Sequence, residues 1–518
     1  MCHHHLRWIF QSSQIFLKTE SKFVKKRALS IAKDAEVMKN VKSFDEIPGP
    51  KGLPFLGSFF KYFPIIGDYD VKRLHIIGKK KFMAYGPLVR EKVLGQTIVW
   101  VFRPEDIAEI FKSEYGKIPA RRSHLALYKY RTDRKEIYKT GGLLPTNGTE
   151  WLRIRRQFQK SLSKPQEVVM YLKDANSVME KFVDYCKQKD YDDLLPLLSR
   201  LYLELIGLVA FDEKMNSFSK EEMREDSKST RLIDSALVTN DAVLHLDGNM
   251  RLWRFFDTPL YKKMSKAQEF MESVAVDMVK KKKDTLKNLT KDRQLSLLET
   301  YLLNENLDER DVVGMACDML LAGVDTTTNT SAWVLHHLGR NLKAQEKLYQ
   351  EASSLLPNKN DTITCDILKQ ANYAKLVLKE TLRLNPISVG VGRILQTDVV
   401  LNGYKIPKGT NVVTQNQVIC RSPEYFSDPD SFIPERWLRN GDNLKYNSEK
   451  PIHPYAVLPF GHGSRSCIAR RLAEQNMLVF ILKISRNFQF TWQGGELDSM
   501  SLLINKPDAP IKLKFSER

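Results

Sequence analysis

Long helical patterns dominate the chain from Pro104 onward. Apolar residues recur there at helical spacing in the segments 104–113, 149–162, 167–187, 193–210, 263–288, 308–340, 341–355, 366–384 and 468–484. Strand signals are confined to a region around Thr97–Phe102 and to 393–414, where Asn402-Gly403 and Lys408-Gly409 mark turns. The 518-residue chain is therefore predicted to be mainly α, with a minor β portion gathered near both ends.

The charge balance is strongly basic, with 81 Lys and Arg against 62 Asp and Glu, a net charge of +19. Such a surface attracts nucleic acid, an anionic membrane or an acidic protein. Nucleic acid is disfavoured, because the chain has neither a basic stripe with interleaved aromatic residues nor zinc-finger spacing. The six cysteines are too sparse for a disulfide scaffold and form no CxxC pair, which favours a reducing compartment.

Residues 1–43 have the composition of a targeting segment. One helical face would carry Leu6, Ile9, Phe10, Phe16 and Leu17, and the first nineteen residues contain no acid. An amphipathic, basic and acid-poor segment is typical of a mitochondrial transit peptide, and a basic helix on the surface of a soluble protein is the alternative. No apolar stretch there is long enough to span a membrane. The stiff stretch Pro48–Pro54 separates this leader from one predicted domain, 44–518.

The segment Phe460–Cys467 carries the strongest chemical signal. Cys467 stands just before a predicted helix, where free backbone N–H groups stabilise a thiolate. The glycines of the segment let the backbone approach a flat ligand closely, and Arg465 can pair with an anionic group. His462 is a rival metal ligand in the same loop, although its position between two glycines favours a contact with an anionic ligand group or with solvent. The remaining cysteines of the globule are interpreted as inert thiols: Cys186, Cys317, Cys365 and Cys420.

This segment resembles the cysteine-loop signature of cytochromes P450, and three further motifs agree with that family in order and spacing. They are the oxygen-binding motif of the central helix at Ala322–Thr327, the Glu-x-x-Arg pair at Glu380–Arg383 completed by Arg436, and the Trp-x-x-x-Arg helix at Trp151–Arg155. The resemblance covers residues 44–516. It implies the P450 fold, a haem b cofactor and monooxygenase chemistry on O2.

The resemblance also implies the haem contacts. Cys467 is expected to be the axial thiolate, which favours O–O cleavage. Buried haem carboxylates need cationic partners, and the matching residues are Trp151, Arg155, Arg393 and Arg465. For Arg393, a solvated strand residue is the alternative. Two positions depart from the family pattern, Ser464 where proline is frequent and Ala469 where glycine is common.

Asp325 and Thr326 are the candidate catalytic residues. A threonine hydroxyl can bond backward to a helix carbonyl and open the helix locally for dioxygen and water, and the aspartate can then relay protons. The alternative is that Thr326–Thr328 are ordinary helix residues. Glu380, Arg383 and Arg436 are expected to form a buried ion-pair network that holds the cysteine loop.

The resemblance implies an electron donor and a compartment. Four basic residues match the patch with which mitochondrial P450s meet an acidic ferredoxin: Lys375, Lys379, Arg470 and Arg471. With the predicted leader, they favour the matrix side of the inner membrane, with peripheral membrane association, and electrons from a ferredoxin and its reductase. Ordinary exposed lysine and arginine are the alternative.

Stretches outside the shared motifs resemble insect mitochondrial P450s of ecdysteroid synthesis, namely Trp100–Phe111, Arg121–Leu127 and Gly141–Gly148. They imply insertion of oxygen at C22 of an ecdysteroid precursor. The candidate pocket walls are small and apolar, which suits a rigid lipophilic substrate: Met319, Leu320, Ala322, Gly323, Ile387, Val389, Val391, Leu502 and Leu503. A P450 that oxidises xenobiotics or another sterol, a haem-thiolate protein without catalysis, and a basic nucleic-acid-binding protein remain the alternatives.

Overall fold

The computed structural model describes residues 41–63, 65–188, 191–248, 250–287, 293–438 and 451–518. The helices are α1 Leu74–Tyr85, α2 Pro104–Ser113, α3 Leu125–Thr132, α4 Gly148–Leu162, α5 Pro165–Val169, α6 Leu172–Gln188, α7 Leu195–Phe211, α8 Lys228–Gly248, α9 Pro259–Leu286, α10 Leu297–Leu302, α11 Glu309–Arg340, α12 Leu342–Leu355, α13 Cys365–Gln370, α14 Asn372–Leu384, α15 Asn416–Ile419 and α16 Arg470–Asn487. The strands are β1 Leu88–Val93, β2 Gln96–Val101, β3 Gly392–Ile394, β4 Val399–Leu401, β5 Tyr404–Ile406, β6 Asn411–Thr414, β7 Phe488–Trp492, β8 Ser499–Ser501, β9 Asn505–Pro507 and β10 Leu513–Glu517.

One sheet joins the two ends of the chain. Its strand order is β1-β2-β6-β3, with β1 and β2 antiparallel, β2 and β6 parallel, and β3 and β6 antiparallel. The remaining strands form the two-stranded antiparallel pairs β4–β5, β8–β9 and β7–β10. The prediction of a mainly helical fold with a minor β portion is therefore confirmed.

The long helix α11 runs through the larger hydrophobic core. It begins with a capping box, in which the Asp308 side chain accepts a hydrogen bond from the N–H of Arg310. Almost every side chain from Asp311 to Gly339 is buried, and the main neighbours of the helix are α7, α8 and α9. Because water does not reach most of this helix, its polar side chains need partners inside the protein.

Two long predicted helices are each divided in the structure. The segment 167–187 forms α5 and α6, and the segment 366–384 forms α13 and α14, which are separated at Ala371 with φ −67° and ψ 70°. Helix α8 was not predicted, because Thr239 and Asn240 lie among its buried positions and interrupt the apolar stripe. Helices α1, α3, α10 and α15 were also missed.

The predicted leader, 1–43, lies outside the described residues except for its last three positions. Within the described ranges, no helix is both long and apolar enough to cross a bilayer.

Candidate active site

The cysteine loop is a tight backbone structure that ends three residues before α16. The N–H of Cys467 donates to the carbonyl oxygen of Phe460 at 2.8 Å, and the N–H of Ser466 donates to that of Gly463 at 3.0 Å. Gly461 and Gly463 have φ of 68° and 74°, which favours glycine. A Cβ at either glycine would meet no atom closer than 3.5 Å. The two glycines therefore serve the turn, and the space beside them leaves the backbone open to approach by a flat ligand, which stays a prediction.

Cys467 faces an interior cavity of about 190 Å³. Its walls come from the cysteine loop, α4, α7, α11, the start of α16 and the segments before α3 and α4, and they are mostly apolar. The sequence-predicted site residues in these walls are Trp151, Arg155, Met319, Ala322, Gly323, Thr326, Arg465 and Cys467. Segments more than three hundred residues apart in sequence thus meet around one sulfur atom.

Arg465 is held at the edge of the cavity by backbone carbonyl groups. Its Nε donates to the carbonyl oxygen of Pro119 at 2.8 Å, and its Nη2 donates to that of Thr146 at 2.6 Å. The guanidinium carbon lies 4.1 Å from the ring centre of Trp151. Its Nη1 is buried and has no hydrogen-bond partner among the described residues. That donor is suited to an anionic ligand group.

Three guanidinium groups line the same cavity. Burial, together with the charges of Arg121, Arg393 and Arg155, lowers the pKa of Arg465 to about 8. Burial also lowers the pKa of Arg121 to about 10, and its Nε donates to the carbonyl oxygen of Leu144 at 3.1 Å. This excess of positive charge fits the two carboxylates of a haem. Arg121 was not predicted, because no motif spacing marks it.

Arg393 lies apart from the other predicted carboxylate partners. Its Nε pairs with Oε1 of Glu114 at 2.7 Å, both side chains are largely buried, and Arg393 does not line the cavity. Its Nη2 reaches the carbonyl oxygen of His462 at 3.4 Å. The ring of His462 packs against Tyr455 and Phe111, outside the cavity. The side chains of Arg393 and His462 therefore lie on the side of the cysteine loop that faces away from the cavity.

The surroundings of the Cys467 sulfur do not by themselves favour a thiolate. Burial raises the pKa of the thiol, while the N–H of Ala469 and the charge of Arg155 lower it by less. The expectation that the start of the following helix stabilises the thiolate is thus only partly met. A metal ion deprotonates a coordinating thiol directly, so iron is the group suited to keep this sulfur ionised.

Thr326 and Asp325 are adjacent in sequence and have different surroundings. The Thr326 hydroxyl lines the cavity and donates to the carbonyl oxygen of Ala322 at 2.6 Å. This is the predicted backward bond, although α11 stays continuous through it. Asp325 is 1% exposed and does not line the cavity. The predicted local opening of the helix is not seen.

Asp325 is held by groups from three elements. Its Oδ1 accepts from Nδ2 of Asn329 at 2.8 Å, and its Oδ2 accepts from Nδ2 of Asn240 on α8 at 3.1 Å. The ammonium group of Lys506, on β9, lies 3.1 Å from Oδ2. Asn240 and Lys506 were not predicted, since each comes from an element far away in sequence.

Glu380, Arg383 and Arg436 form one fully buried network. Glu380 Oε1 lies 2.8 Å from Nη2 of Arg383 and 2.9 Å from Nε of Arg436. The arginines also donate to carbonyl oxygens of residues 420 and 427–431. Among the described residues, the network thus joins α14 to the segment that precedes the cysteine loop, and its predicted role in holding that loop stays a prediction.

A sequence profile of the family described as Cytochrome P450 matches residues 47–515. This chain belongs to the cytochrome P450 family. It is 46% identical over 484 residues to the Drosophila melanogaster protein "Cytochrome P450 302a1, mitochondrial", covering 92% of this chain and 96% of the relative. It is 30% identical over 495 residues to "Probable cytochrome P450 301a1, mitochondrial" of the same species, covering 92% and 88%. It is 29% identical over 487 residues to "Cytochrome P450 10" of Lymnaea stagnalis, covering 93% and 87%.

Membership of this family makes the chain a monooxygenase that carries haem with a cysteine thiolate as axial ligand. The first of these relatives is named mitochondrial, and P450s of the mitochondrial class receive electrons from a ferredoxin and its reductase. The family and the fold predicted from the motifs are confirmed.

The predicted pocket walls of this P450 divide into three groups. Met319, Ala322 and Gly323 line the cavity at Cys467. Leu320, Ile387 and Val391 are packed in the hydrophobic cores and do not line the cavity at Cys467. Val389, Leu502 and Leu503 line a second cavity. Helical and strand periodicity cannot distinguish a cavity wall from a core position, which explains the mixture.

The predicted docking residues of this P450 lie on α14 and α16, which contact each other. Lys375 donates to the carbonyl oxygen of Lys369 at 2.6 Å, and the ammonium group of Lys379 lies 3.9 Å from the centre of the Trp437 ring system. Arg470 pairs with Glu474 at 3.0 Å, and Arg471 is exposed. The four side chains are at least partly exposed.

Proposed function

We propose that this P450 hydroxylates an ecdysteroid precursor at C22 in the mitochondrion, with electrons from a ferredoxin and its reductase. The observation that carries the proposal is the resemblance to insect mitochondrial P450s of ecdysteroid synthesis, which extends to stretches outside the shared motifs. Arg121, Leu143 and Leu144 belong to those stretches, and all three line the cavity at Cys467. The resemblance therefore includes residues that would contact the haem or its substrate.

Bound haem supplies the activation of O2 in this chemistry. Cys467 is proposed as its axial ligand, and Arg465, Arg155 and Trp151 as partners of its carboxylates. Arg121 joins them, because its guanidinium lines the same cavity. These groups fix the orientation of the cofactor, and the apolar remainder of the cavity excludes water around a lipophilic substrate.

Thr326 and Asp325 are proposed to supply protons. The Thr326 hydroxyl hydrogen is donated to the carbonyl oxygen of Ala322, so its oxygen can accept a hydrogen bond from a water molecule in the cavity. Asp325 is held by Lys506, Asn240 and Asn329. A proton taken up by this carboxylate can return to the cavity through water beside Thr326.

Ferredoxin is proposed to dock on the surface that carries Lys375, Lys379, Arg470 and Arg471. A cluster of exposed basic groups steers an acidic partner and makes association depend on salt. The leader at 1–43 is proposed as the transit peptide, and the matrix side of the inner membrane as the place of action.

The first experiment is the carbon monoxide difference spectrum of the reduced, haem-loaded protein and of a Cys467→Ser variant. We expect a strongly red-shifted Soret band that the variant loses, because the shift depends on the thiolate. A band typical of histidine ligation in the wild type would refute the assignment of Cys467.

The second experiment is turnover of a 2,22-dideoxyecdysteroid with ferredoxin and its reductase. A 22-hydroxy product supports the proposal. Oxidation at another position, or turnover of xenobiotics alone, would refute the proposed specificity. Absence of ferredoxin-dependent oxygen consumption would indicate a haem-thiolate protein without catalysis.

A further inference from the structure

Glu114 is a largely buried carboxylate at the end of a helix. It directly follows α2, where the negative end of the helix dipole disfavours a negative charge. Its side chain is 12% exposed, and burial raises the pKa of its carboxyl group. A carboxylate in such a place needs a cationic partner to remain ionised. The partner is Arg393 on β3, whose Nε lies 2.7 Å from Oε1 of Glu114.

The pair of Glu114 and Arg393 lies directly against the cysteine loop. Nη2 of Arg393 donates to the carbonyl oxygen of His462 at 3.4 Å. A Cβ at Gly463 would lie 3.5 Å from Oε2 of Glu114, so this carboxylate oxygen faces the backbone of the loop. Cys467 follows four residues further along the same loop. The two charges of the pair therefore lie close to the backbone that carries the axial ligand.

The charges of the pair also act at the edge of the cavity at Cys467. Burial is the main cause of the low pKa of Arg465, the charge of Arg393 lowers this pKa as well, and the charge of Glu114 raises it. Charges in a poorly solvated interior are only weakly screened. The pair thus belongs electrostatically to the cations around the cavity, although neither of its side chains lines the cavity.

The number of charges around the cavity gives Glu114 a role. Three guanidinium groups line the cavity, those of Arg121, Arg155 and Arg465. A haem brings two carboxylates to them, which leaves one positive charge in excess. The carboxylate of Asp318 in the same wall is already paired with Arg131 at 2.6 Å. An unpaired Arg393 would raise the excess to two, and Glu114 neutralises this second charge.

We propose that Glu114 balances the charge of Arg393 behind the cysteine loop and thereby keeps the reduction potential of the haem more negative than an unpaired Arg393 would make it. Reduction of iron(III) to iron(II) adds one electron, supplied by ferredoxin, so nearby positive charge favours the reduced form. Glu114 acts through Arg393 and is a positioning residue. Because family membership implies the haem and its thiolate, the inference does not depend on which substrate is oxidised.

The experiment measures the midpoint reduction potential of the haem by spectroelectrochemistry at fixed pH and ionic strength. Glu114→Gln keeps the size of the side chain and an oxygen that accepts from Arg393, and it removes the charge. We expect the ratio of reduced to oxidised haem at a fixed applied potential to rise about tenfold, which corresponds to about 59 mV for one electron. Glu114→Asp keeps the charge and shortens the side chain, so the ratio should change less than about threefold.

A double variant, Glu114→Gln with Arg393→Gln, removes both charges of the pair. The excess of positive charge is then the same as in the wild type, so the ratio should return to within about threefold of the wild-type value. A purely structural role predicts the opposite, because the second substitution would add to the damage of the first. Glu109→Gln on α2 is the matched control, since Glu109 is 51% exposed and solvent screens its charge.

The carbon monoxide spectrum of each reduced variant checks that the thiolate ligand is retained, and haem content is measured after gel filtration. If Glu114→Gln loses haem, haem content becomes the deciding measurement. Loss confined to Glu114→Gln supports the inference, because the charged Glu114→Asp and the balanced double variant then keep the cofactor. Loss of haem from either of these two variants as well would refute it.

The inference is overturned if Glu114→Gln leaves the ratio unchanged or lowers it. It is also overturned if Glu114→Asp shifts the ratio as much as Glu114→Gln does, if the double variant shifts it further, or if Glu109→Gln has an equal effect. None of these outcomes touches the proposed 22-hydroxylation, which turnover of the 2,22-dideoxyecdysteroid tests separately.

Discussion

The buried carboxylate of Glu380 allows a quantitative prediction. Its two oxygens accept hydrogen bonds from Nε and Nη2 of Arg383 at 2.9 and 2.8 Å and from Nε of Arg436 at 2.9 Å. They also accept from the N–H of Ile433 at 3.0 Å and from the indole N–H of Trp437 at 2.9 Å. The side chains of the glutamate and both arginines are 0% exposed.

A Glu380→Gln variant keeps the size of the side chain and removes its charge. Two buried guanidinium groups then lose the charge of Glu380, and one partner of each bond becomes a neutral amide. Breaking a buried ion pair from one side costs about 3–5 kcal/mol of the free energy of unfolding. Since the total is typically about 5–15 kcal/mol, we expect a large loss of folded protein at moderate denaturant concentration.

The assay is guanidinium unfolding followed by circular dichroism, with haem content measured in parallel. Glu435→Gln is the control, because Glu435 lies in the same segment and its partner Lys347 is 56% exposed. The Glu435 side chain is itself 19% exposed, and a partly exposed pair contributes less than a fully buried one, so the control should lose much less stability than Glu380→Gln. Equal destabilisation by the two variants would refute the argument from burial.

Three further predictions concern protons, acidity and docking. Thr326→Ala should lower the product formed per electron pair by up to about 100-fold while the carbon monoxide spectrum is retained, and unchanged coupling would remove this residue from the proton path. Burial lowers the pKa of His336 to about 4, below its value of about 6.5 in the unfolded chain. As the pH falls, this histidine therefore binds a proton in the unfolded state before it does so in the folded state. The free energy of unfolding that the neutral histidine contributes above pH 6.5 is lost below pH 6.5, by about 1.4 kcal/mol at pH 5.5. A His336→Phe variant should show a smaller shift of the urea midpoint between pH 7.5 and 5.5 than the wild type, and an equal shift would contradict the assignment. Lys375→Glu with Lys379→Glu should raise the ferredoxin concentration for half-maximal rate about tenfold at low salt and much less at high salt. Lys369→Glu is the control for this pair, and a salt-independent effect would count against docking.

Helix prediction succeeded where local sequence carries both a start signal and one apolar face. Helix α2 was predicted with both ends, since Pro104 occupies its first turn and its buried residues recur at helical spacing. The break at Ala371 was missed because the apolar pattern continues through it on both sides. Helix α8 was missed for the opposite reason, because buried polar residues such as Asn240 mask its inner face.

The site residues divide in the same way, into those that a local motif marks and those that distant segments bring together. Trp151 and Arg155 are one turn apart on α4, so a local motif places both in the cavity wall. Arg121 and Gln415 line cavities only because distant segments pack beside them, and no spacing in the sequence encodes that packing. Residues of this second kind can be found only from the three-dimensional structure.

The adjacent pair Asp325 and Thr326 shows how a local motif can depend on distant elements. Successive residues of a helix point about 100° apart, so Thr326 can line the cavity while Asp325 packs against α8 and β9. The element that supplies Lys506 to Asp325 also carries Leu502 and Leu503 into the second cavity. The surroundings of Asp325 are therefore set by α8 and by the β8–β9 hairpin, although the motif itself contains neither Asn240 nor Lys506.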